Sequence, residues 1–310
     1  MFGQGVENGE GAPGSSRRRL PRHCVRPSRW TPEVAELQQR LRRAGLRSVC
    51  EEARCPNRCE CWQRRHLAFM LLGSVCTRAC RFCAVATGRP PGGPDPREPE
   101  EVARVAAELR LSHAVLTSVN RDDLPDGGSG QFAATVRAIR ERRPSVSIEV
   151  LTPDFLGELA AVSVVCAAAP DVFNHNVETV PRLYRRVRPG AVFERSLAVL
   201  AEARRLRPDA VVKSGCMVGL GEEFDEVVEL LRALRAVGVD SVTIGQYLQP
   251  TRRQLPVLRF WEPEAFDALA AAGRELGIPQ VASGPLVRSS YQAEASFGAA
   301  RAVRCAPGGR

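Results

Sequence analysis

Residues 67–83 read LAFMLLGSVCTRACRFC, and this stretch decides the fold. Its first six residues, 67–72, form a short, continuous apolar run, which is typical of a buried strand. Three cysteines follow, at positions 76, 80 and 83. The sequence therefore predicts a buried first strand whose end leads directly into a cysteine loop.

Short apolar runs and amphipathic segments alternate after this stretch, which is typical of a parallel sheet with right-handed crossovers. We expect strands at residues 67–72, 113–118, 147–151, 171–175, 211–217 and 241–246. We expect helices at residues 33–43, 99–110, 131–142, 155–161, 178–186, 193–206, 223–236 and 263–276. Six such units predict an α/β fold, an incomplete TIM-type (βα)6 barrel, with a doubly wound sheet as the alternative.

The three cysteines of the loop, Cys76, Cys80 and Cys83, form the pattern C-x3-C-x2-C. This spacing lets one short loop wrap three thiolates around a [4Fe–4S] cubane. Full protein ligation of a cubane normally uses four cysteines, so three leave one iron open to chelate S-adenosylmethionine. The pattern resembles the signature of the radical S-adenosylmethionine superfamily, and Phe82 matches the aromatic residue usual there. A zinc knuckle is the alternative, although it commonly has four ligands and C-x2-C pairs.

A second group of cysteines lies just before the first strand. Cys50, Cys55 and Cys61 form C-x4-C-x5-C, and seven of the eleven cysteines fall between residues 50 and 83. Such density indicates disulfides in small secreted proteins. This chain is long, and its first 16 residues lack the apolar core of a secretory signal. Metal ligation is therefore the better interpretation.

Longer blocks extend the pattern through most of the chain. They include TSVNRDDLPDGG (117–128), IEVLTPDF (148–155), KSGCMVGLGE (213–222), TIGQYLQPT (243–251) and VASGPLVRSSY (281–291). Together with both cysteine groups, these blocks resemble the lipoyl synthase family over residues 46–293. The resemblance implies a second, auxiliary [4Fe–4S] cluster on Cys50, Cys55 and Cys61. In that family its fourth ligand is a serine of an RSSY motif, here residues 288–291, which implies Ser290.

The resemblance also implies the reaction. A sulfurtransferase of this family inserts two sulfur atoms, at C6 and C8 of an octanoyl chain amide-linked to a lysine of a carrier domain. A 5′-deoxyadenosyl radical removes hydrogen, and the auxiliary cluster gives up its sulfide while Ser290, as a catalytic residue, releases its iron. The expected partners are octanoylated lipoyl carrier domains (acyltransferase subunits of 2-oxoacid dehydrogenases and the glycine cleavage H protein), a low-potential electron donor and an iron–sulfur carrier for cluster repair.

Polar side chains accumulate where the predicted strands end, and this is the face of a TIM-type barrel that carries chemistry. Thr117, Ser118, Lys213 and Gln246 belong to this group, but no role is assigned to them. The residues that we expect to bind the cofactor are Phe82, Asn120, Asp122, Glu149 and Asn174.

Four segments are expected along the chain. They are a flexible N-terminal arm at 1–29, an extension with the auxiliary cysteines at 30–66, the partial barrel at 67–282 and a C-terminal segment at 283–310. The two extensions would close the site. No run of 18 apolar residues is present, so we expect a cytoplasmic protein without a membrane partner.

The net charge of +9 favours an acidic partner. The only compact basic cluster in the sequence is Arg17–Arg19 with Arg22, so we do not expect the protein to bind nucleic acid. The charge still leaves a non-enzymatic iron–sulfur or nucleic-acid-binding protein as one alternative. Another is a paralogue that inserts sulfur into a different acyl chain, because Gln254 and Gln292 stand where related sequences have histidine. Cys59, Cys166 and Cys216 fit neither cysteine pattern and are not expected to bind iron.

Overall fold

The computed structural model describes residues 20–27 and 29–305, without the side chains of residues 304 and 305. Most of the predicted N-terminal arm, including Arg17–Arg19, therefore lies outside the described residues. Within them, residues Arg22–Cys24 form a 3-10 turn, and Cys24 is buried. No helix in the described part of the chain is long and apolar enough to cross a membrane.

The strands are β1 (Ala68–Leu71), β2 (Val75–Cys76), β3 (Ala86–Thr87), β4 (His113–Ser118), β5 (Ser147–Leu151), β6 (Val172–Asn174), β7 (Val211–Val218), β8 (Ser241–Gln246) and β9 (Gln280–Gly284). Seven of them form one parallel sheet in the order β1-β4-β5-β6-β7-β8-β9, while β2 and β3 form a small parallel pair. No pairing joins β1 to β9 among the described residues, so the barrel is open. The prediction of an incomplete TIM-type barrel is confirmed.

Helices follow most strands and cover the outside of the sheet. They are α1 (Pro32–Arg43), α2 (Val49–Glu52), α3 (Arg58–Gln63), α4 (Glu98–Glu108), α5 (Ser129–Arg142), α6 (Leu159–Ala167), α7 (Tyr184–Val187), α8 (Phe193–Leu206), α9 (Phe224–Ala236), α10 (Pro263–Glu275) and α11 (Ala293–Cys305). Local sequence signals explain where several of these helices begin. A proline opens α1 and α10, and Glu223 with Glu226 forms a capping box at α9.

The structure departs from the predicted elements in three places of the barrel. It also contains elements that were not predicted, namely β2, β3, α2, α3 and α11. Strand β9 was not predicted, since its residues are only partly buried and give no continuous apolar run. The helix predicted at 155–161 begins as a 3-10 turn, because Phe155 and Leu156 have φ of +47° and +55°, and only then continues as α6. The helix predicted at 178–186 is a 3-10 turn, Pro181–Leu183, followed by α7.

Helix α11 closes the amino end of the barrel. Phe297 packs with Ala300 against Val172 and Val211, which are the first residues of β6 and β7. Its ring lies 6.0 Å from that of His113, the first residue of β4. Only the carboxyl end of the sheet, where the cysteine loop lies, remains as the mouth of the barrel.

Candidate iron–sulfur and cofactor site

The cysteine loop of residues 76–83 lies over the mouth of the barrel. Backbone hydrogen bonds fix it: Thr77 N donates to Asn120 O (3.0 Å), and Arg81 N donates to Val187 O (2.8 Å). The backbone N–H of Asn120 donates to Cys76 Sγ (3.4 Å). Burial raises the pKa of Cys80 to about 11 and that of Cys83 to about 12, and the neighbouring thiol of Cys76 adds to both increases. The three thiols therefore lie within electrostatic range of one another.

A buried arginine anchors this loop. Arg78 Nε and Nη2 donate to the two carboxylate oxygens of Asp122 (2.8 and 3.1 Å), and Nη2 also donates to Asp154 Oδ1 (2.6 Å). Burial alone would raise the pKa of Asp154, but the hydrogen bond and charge of Arg78 outweigh it and hold this pKa at about 2. The carboxylate of Asp122, expected to bind the cofactor, is thus used by the loop itself.

The second cysteine group converges in the same way. Ser48 caps α2 by accepting from the N–H of Cys50 (3.1 Å), and Cys55 N donates to Cys50 O (3.1 Å). Burial raises the pKa of Cys55 to about 11 and that of Cys61 to about 12, and the thiol of Cys50 raises both further. Cys50, Cys55 and Cys61 therefore form a second local set of thiols.

Ser290 lies beside these thiols. A small cavity is lined by Cys50, Cys61 and Ser290, together with His66, His113 and Glu294. Within the described chain, the hydroxyl of Ser290 makes no hydrogen bond. The segment that carries it is held against the auxiliary cysteines, since Asn57 Nδ2 donates to Leu286 O (2.7 Å) and Tyr291 Oη donates to Glu60 Oε1 (3.3 Å). Residues distant in sequence thus meet at one cavity.

Three polar side chains project into the lumen from neighbouring strands. Lys213 Nζ donates to both oxygens of Glu149 (2.9 and 3.0 Å), and Asn174 Nδ2 donates to Glu149 Oε1 (2.8 Å). All three residues are at most 2% exposed. Burial works against the charge of Glu149, but the ammonium of Lys213 and the nearby His113 hold the pKa of this carboxyl at about 2. Sequence reasoning placed Lys213 among the strand-end residues without a role.

The five residues expected to bind the cofactor differ in whether their side chains have a polar atom that is free to contact a ligand. The carboxylates of Glu149 and Asp122 are both occupied by protein partners. Asn174 Oδ1 is buried without a hydrogen-bond partner among the described residues, so it is an acceptor open to a ligand. The half-buried side chain of Asn120 makes no hydrogen bond to the described residues, and Phe82 packs against the apolar core near β7 and β8. Asn174 is therefore the candidate with the clearest free binding atom.

The donor set fits iron–sulfur clusters. In residues 20–27 and 29–305, no three His, Cys, Asp or Glu side chains converge closely enough to hold a single metal ion. A cubane instead takes each thiolate on a different iron, and iron–sulfur sites select soft thiolate ligands. Two sets of three thiols, one with an adjacent hydroxyl, match that requirement.

Gln254, which replaces a histidine usual in related sequences, touches the cysteine loop. Its Nε2 donates to Cys83 O (3.1 Å), and its Oε1 accepts from Thr251 Oγ1 (2.6 Å). Gln292 is exposed, and its Nε2 donates to the hydroxyl of its neighbour Tyr291 (3.3 Å). Glutamine at 254 thus supports the loop by a neutral hydrogen bond.

Comparison with known proteins identifies the family of the chain. The Radical SAM superfamily model matches residues 70–245. Lipoyl synthase of Methylococcus capsulatus is 56% identical over 84% of this chain and 81% of that protein. Lipoyl synthase of Thermus thermophilus is 52% identical over 90% of this chain and 87% of that protein.

Solved structures resemble this one in fold alone. Streptococcus suis SuiB bound to S-adenosylmethionine aligns with a TM-score of 0.52 at 12% identity, covering 71% of this chain and 50% of that chain. HydG, a maturase of the [FeFe]-hydrogenase, aligns with a TM-score of 0.54 at 13% identity, covering 69% and 55%. Both alignments support the open barrel.

Proposed function

Since the chain belongs to the lipoyl synthase family within the radical S-adenosylmethionine superfamily, we propose which residues carry each part of its reaction. The protein is a sulfur-inserting enzyme that uses S-adenosylmethionine and [4Fe–4S] clusters. The lipoyl synthase hypothesis is therefore confirmed, and a non-enzymatic iron–sulfur protein is excluded.

Cys76, Cys80 and Cys83 hold the cluster that binds S-adenosylmethionine. Cys50, Cys55 and Cys61, with Ser290 as the fourth ligand, hold the auxiliary cluster. When bound, these groups supply a radical that abstracts hydrogen from an unactivated carbon and the sulfur that replaces that hydrogen. Asn174 Oδ1, the free buried acceptor, binds a donor group of S-adenosylmethionine.

Other residues position the cysteine loop and enclose the lumen of the barrel. Arg78 holds the cysteine loop over the mouth, and the C-terminal segment closes the side of the lumen. Both exclude water, which protects a reactive radical and orients the acyl chain. The substrates are lipoyl carrier proteins, in particular octanoylated acyltransferase subunits of 2-oxoacid dehydrogenases and the glycine cleavage H protein. A low-potential electron donor and an iron–sulfur carrier complete the cycle.

One observation carries the auxiliary assignment: Ser290 shares a cavity with Cys50 and Cys61. Its neighbour Ser289 is the alternative ligand, but Ser289 Oγ is already hydrogen-bonded to Asn174 and Asn176. The free hydroxyl beside the thiols therefore supports Ser290. Oxygen is a harder donor than thiolate and holds iron less firmly, which suits a cluster that gives up its sulfide.

Anaerobic turnover of Ser290→Ala tests this assignment. The assay contains an octanoyl-lysine peptide, dithionite and S-adenosylmethionine, and measures 5′-deoxyadenosine and sulfur-containing peptide separately. We expect cofactor cleavage to persist and sulfur insertion to be mostly lost. Cys59→Ala, in the same short helix as Cys61, is the matched control and should retain both products. Full sulfur insertion by Ser290→Ala would refute the assignment.

A further inference from the structure

Lys213 is the only lysine in this chain. The sequence contains 44 basic residues other than histidine, and the other 43 are arginine. Arginine thus serves at every position where a surface cation is sufficient. The one lysine is 2% exposed and lies in the barrel lumen. A lysine ammonium is a compact point charge, whereas a guanidinium is a planar fork, so the lumen carries the smaller cation at this position.

The ammonium of Lys213 fixes the charge of its partner. It contacts both oxygens of Glu149, a residue with no exposed surface, and His113 Nε2 lies 3.6 Å from Glu149 Oε2. A buried carboxylate without such a partner would take up a proton. Lys213 therefore keeps Glu149 ionised, and an ionised carboxylate can only accept hydrogen bonds.

An acceptor at Glu149 determines the direction of every hydrogen bond that follows. Asn174 must turn its NH2 group, rather than its carbonyl, towards Glu149. The second N–H of that group donates to Ser289 Oγ (2.8 Å). Ser289 in turn donates to Asn176 Oδ1 (3.0 Å). As a result, Asn174 Oδ1 faces away from the ion pair and stays free.

Strand β7 also makes room for this network. Gly215 lies two residues after Lys213, on the same face of the strand. A Cβ at this position would collide with the hydroxyl of Thr243 and would come within 3.0 Å of Asn176 Oδ1. The space that Asn176 needs to accept from Ser289 thus depends on a glycine.

We propose that Lys213 is a positioning residue: with Glu149, it orients the Asn174 amide and holds Ser289, and so keeps neighbouring Ser290 at the auxiliary thiols. The hydrogen bonds that run from Lys213 through Glu149, Asn174 and Ser289 to Asn176 form one row. The role of Ser290 as a ligand rests on the proposed function, whereas this hydrogen-bond row does not. The row joins three strands of the barrel to the C-terminal segment. It therefore couples the cofactor acceptor, Asn174 Oδ1, to the placement of the auxiliary ligand.

Hydrogen exchange of the reconstituted holoenzyme tests the row from one end. In Lys213→Met, the backbone amides of residues 286–292 should exchange about tenfold faster or more, which corresponds to the loss of one charge-assisted hydrogen bond. Lys213→Arg should show the same increase, because a guanidinium is larger than an ammonium and must displace the side chains that surround this buried position. Val199→Ala, a core change on α8 outside the lumen, controls for general destabilisation. Unchanged exchange in Lys213→Met, wild-type behaviour of Lys213→Arg, or an equal increase in Val199→Ala would overturn the proposal.

Amine labelling tests the row from the other end, since coupling must be reciprocal. Lys213 carries the only side-chain amine, so a small amine-reactive ester modifies only this residue and the N-terminal amine. Ser289→Ala should raise labelling of Lys213 severalfold relative to the N-terminus, and this variant leaves the buried ion pair intact. Equal labelling in wild type and Ser289→Ala would overturn the coupling even if the Lys213 variants fail to fold. Loss of the Ser290 assignment alone would leave both readouts unchanged.

Discussion

Replacing Arg78 by alanine should release the cysteine loop without affecting Cys50, Cys55 and Cys61. Arg78 lies between Cys76 and Cys80, and its guanidinium makes three hydrogen bonds to Asp122 and Asp154. The substitution removes all three. It also leaves Asp154, which is 1% exposed, with Arg195 at 3.3 Å as its remaining ion-pair partner.

The magnitude follows from burial. Breaking a buried ion pair by removing one partner costs about 3–5 kcal/mol, because the other charge stays uncompensated. Arg195 and the N–H of Leu156, which donates to Asp154 Oδ1 at 3.2 Å, offset part of this cost. We therefore expect the free energy of unfolding to fall by about 3 kcal/mol. The loss should be greatest locally, at the loop that Arg78 ties to the barrel.

The assay compares Arg78→Ala with Arg81→Ala after anaerobic reconstitution. Arg81 belongs to the same loop, but its side chain is exposed and has no ion-pair partner in the described chain. Urea unfolding measures stability, and iron content with Mössbauer spectroscopy measures each cluster. We expect Arg78→Ala to lose about four irons and S-adenosylmethionine cleavage, while Arg81→Ala keeps both. Equal stability and equal iron content in the two variants would show that the buried anchor does not hold the loop.

Three further outcomes are expected. The pKa of Asp154 is lowered to about 2, so its ionised form stabilises the fold above about pH 4, and this contribution is lost as the pH falls towards 2; urea unfolding of Asp154→Asn should lack that part of the acid dependence. The carboxylate of Glu222 accepts hydrogen bonds from three backbone N–H groups and one threonine hydroxyl. Glu222→Ala should lower the free energy of unfolding by several kcal/mol, because each buried donor left without an acceptor costs about 1–3 kcal/mol. A small change in the free energy of unfolding would contradict this. Alanine variants of Cys59, Cys166 and Cys216 should keep the iron of both clusters, as measured by iron analysis. Urea unfolding should show a free energy of unfolding that is lower by about 1 kcal/mol.

Local pattern was sufficient to predict the barrel and the thiols. The cysteine patterns each span fewer than fifteen residues, and the six predicted strands are short and mostly apolar, with amphipathic segments between them. Contacts between distant residues leave no such trace: Arg78 meets Asp154 across 76 positions, and Asn174 meets Ser289 across 115. Strand β9 was missed because its half-buried residues lack a continuous apolar run. Lys213 left two signals, its place among the strand-end polar residues and its rarity among arginines, but neither connected it to a partner.

The open sheet leaves strand edges through which the protein can aggregate. Strand β9 has no strand partner beyond β8 among the described residues, and an unpaired edge is a template for association with another chain. The outer edge of β1 is covered by the stretch just before the auxiliary cysteines, where Met70 N donates to Arg47 O (2.9 Å) and Ser48 Oγ donates to Ala68 O (3.1 Å). Detachment of this stretch would bare a second edge. Loss of the auxiliary iron should therefore be followed by aggregation, so that iron colour and monodispersity decline together during storage.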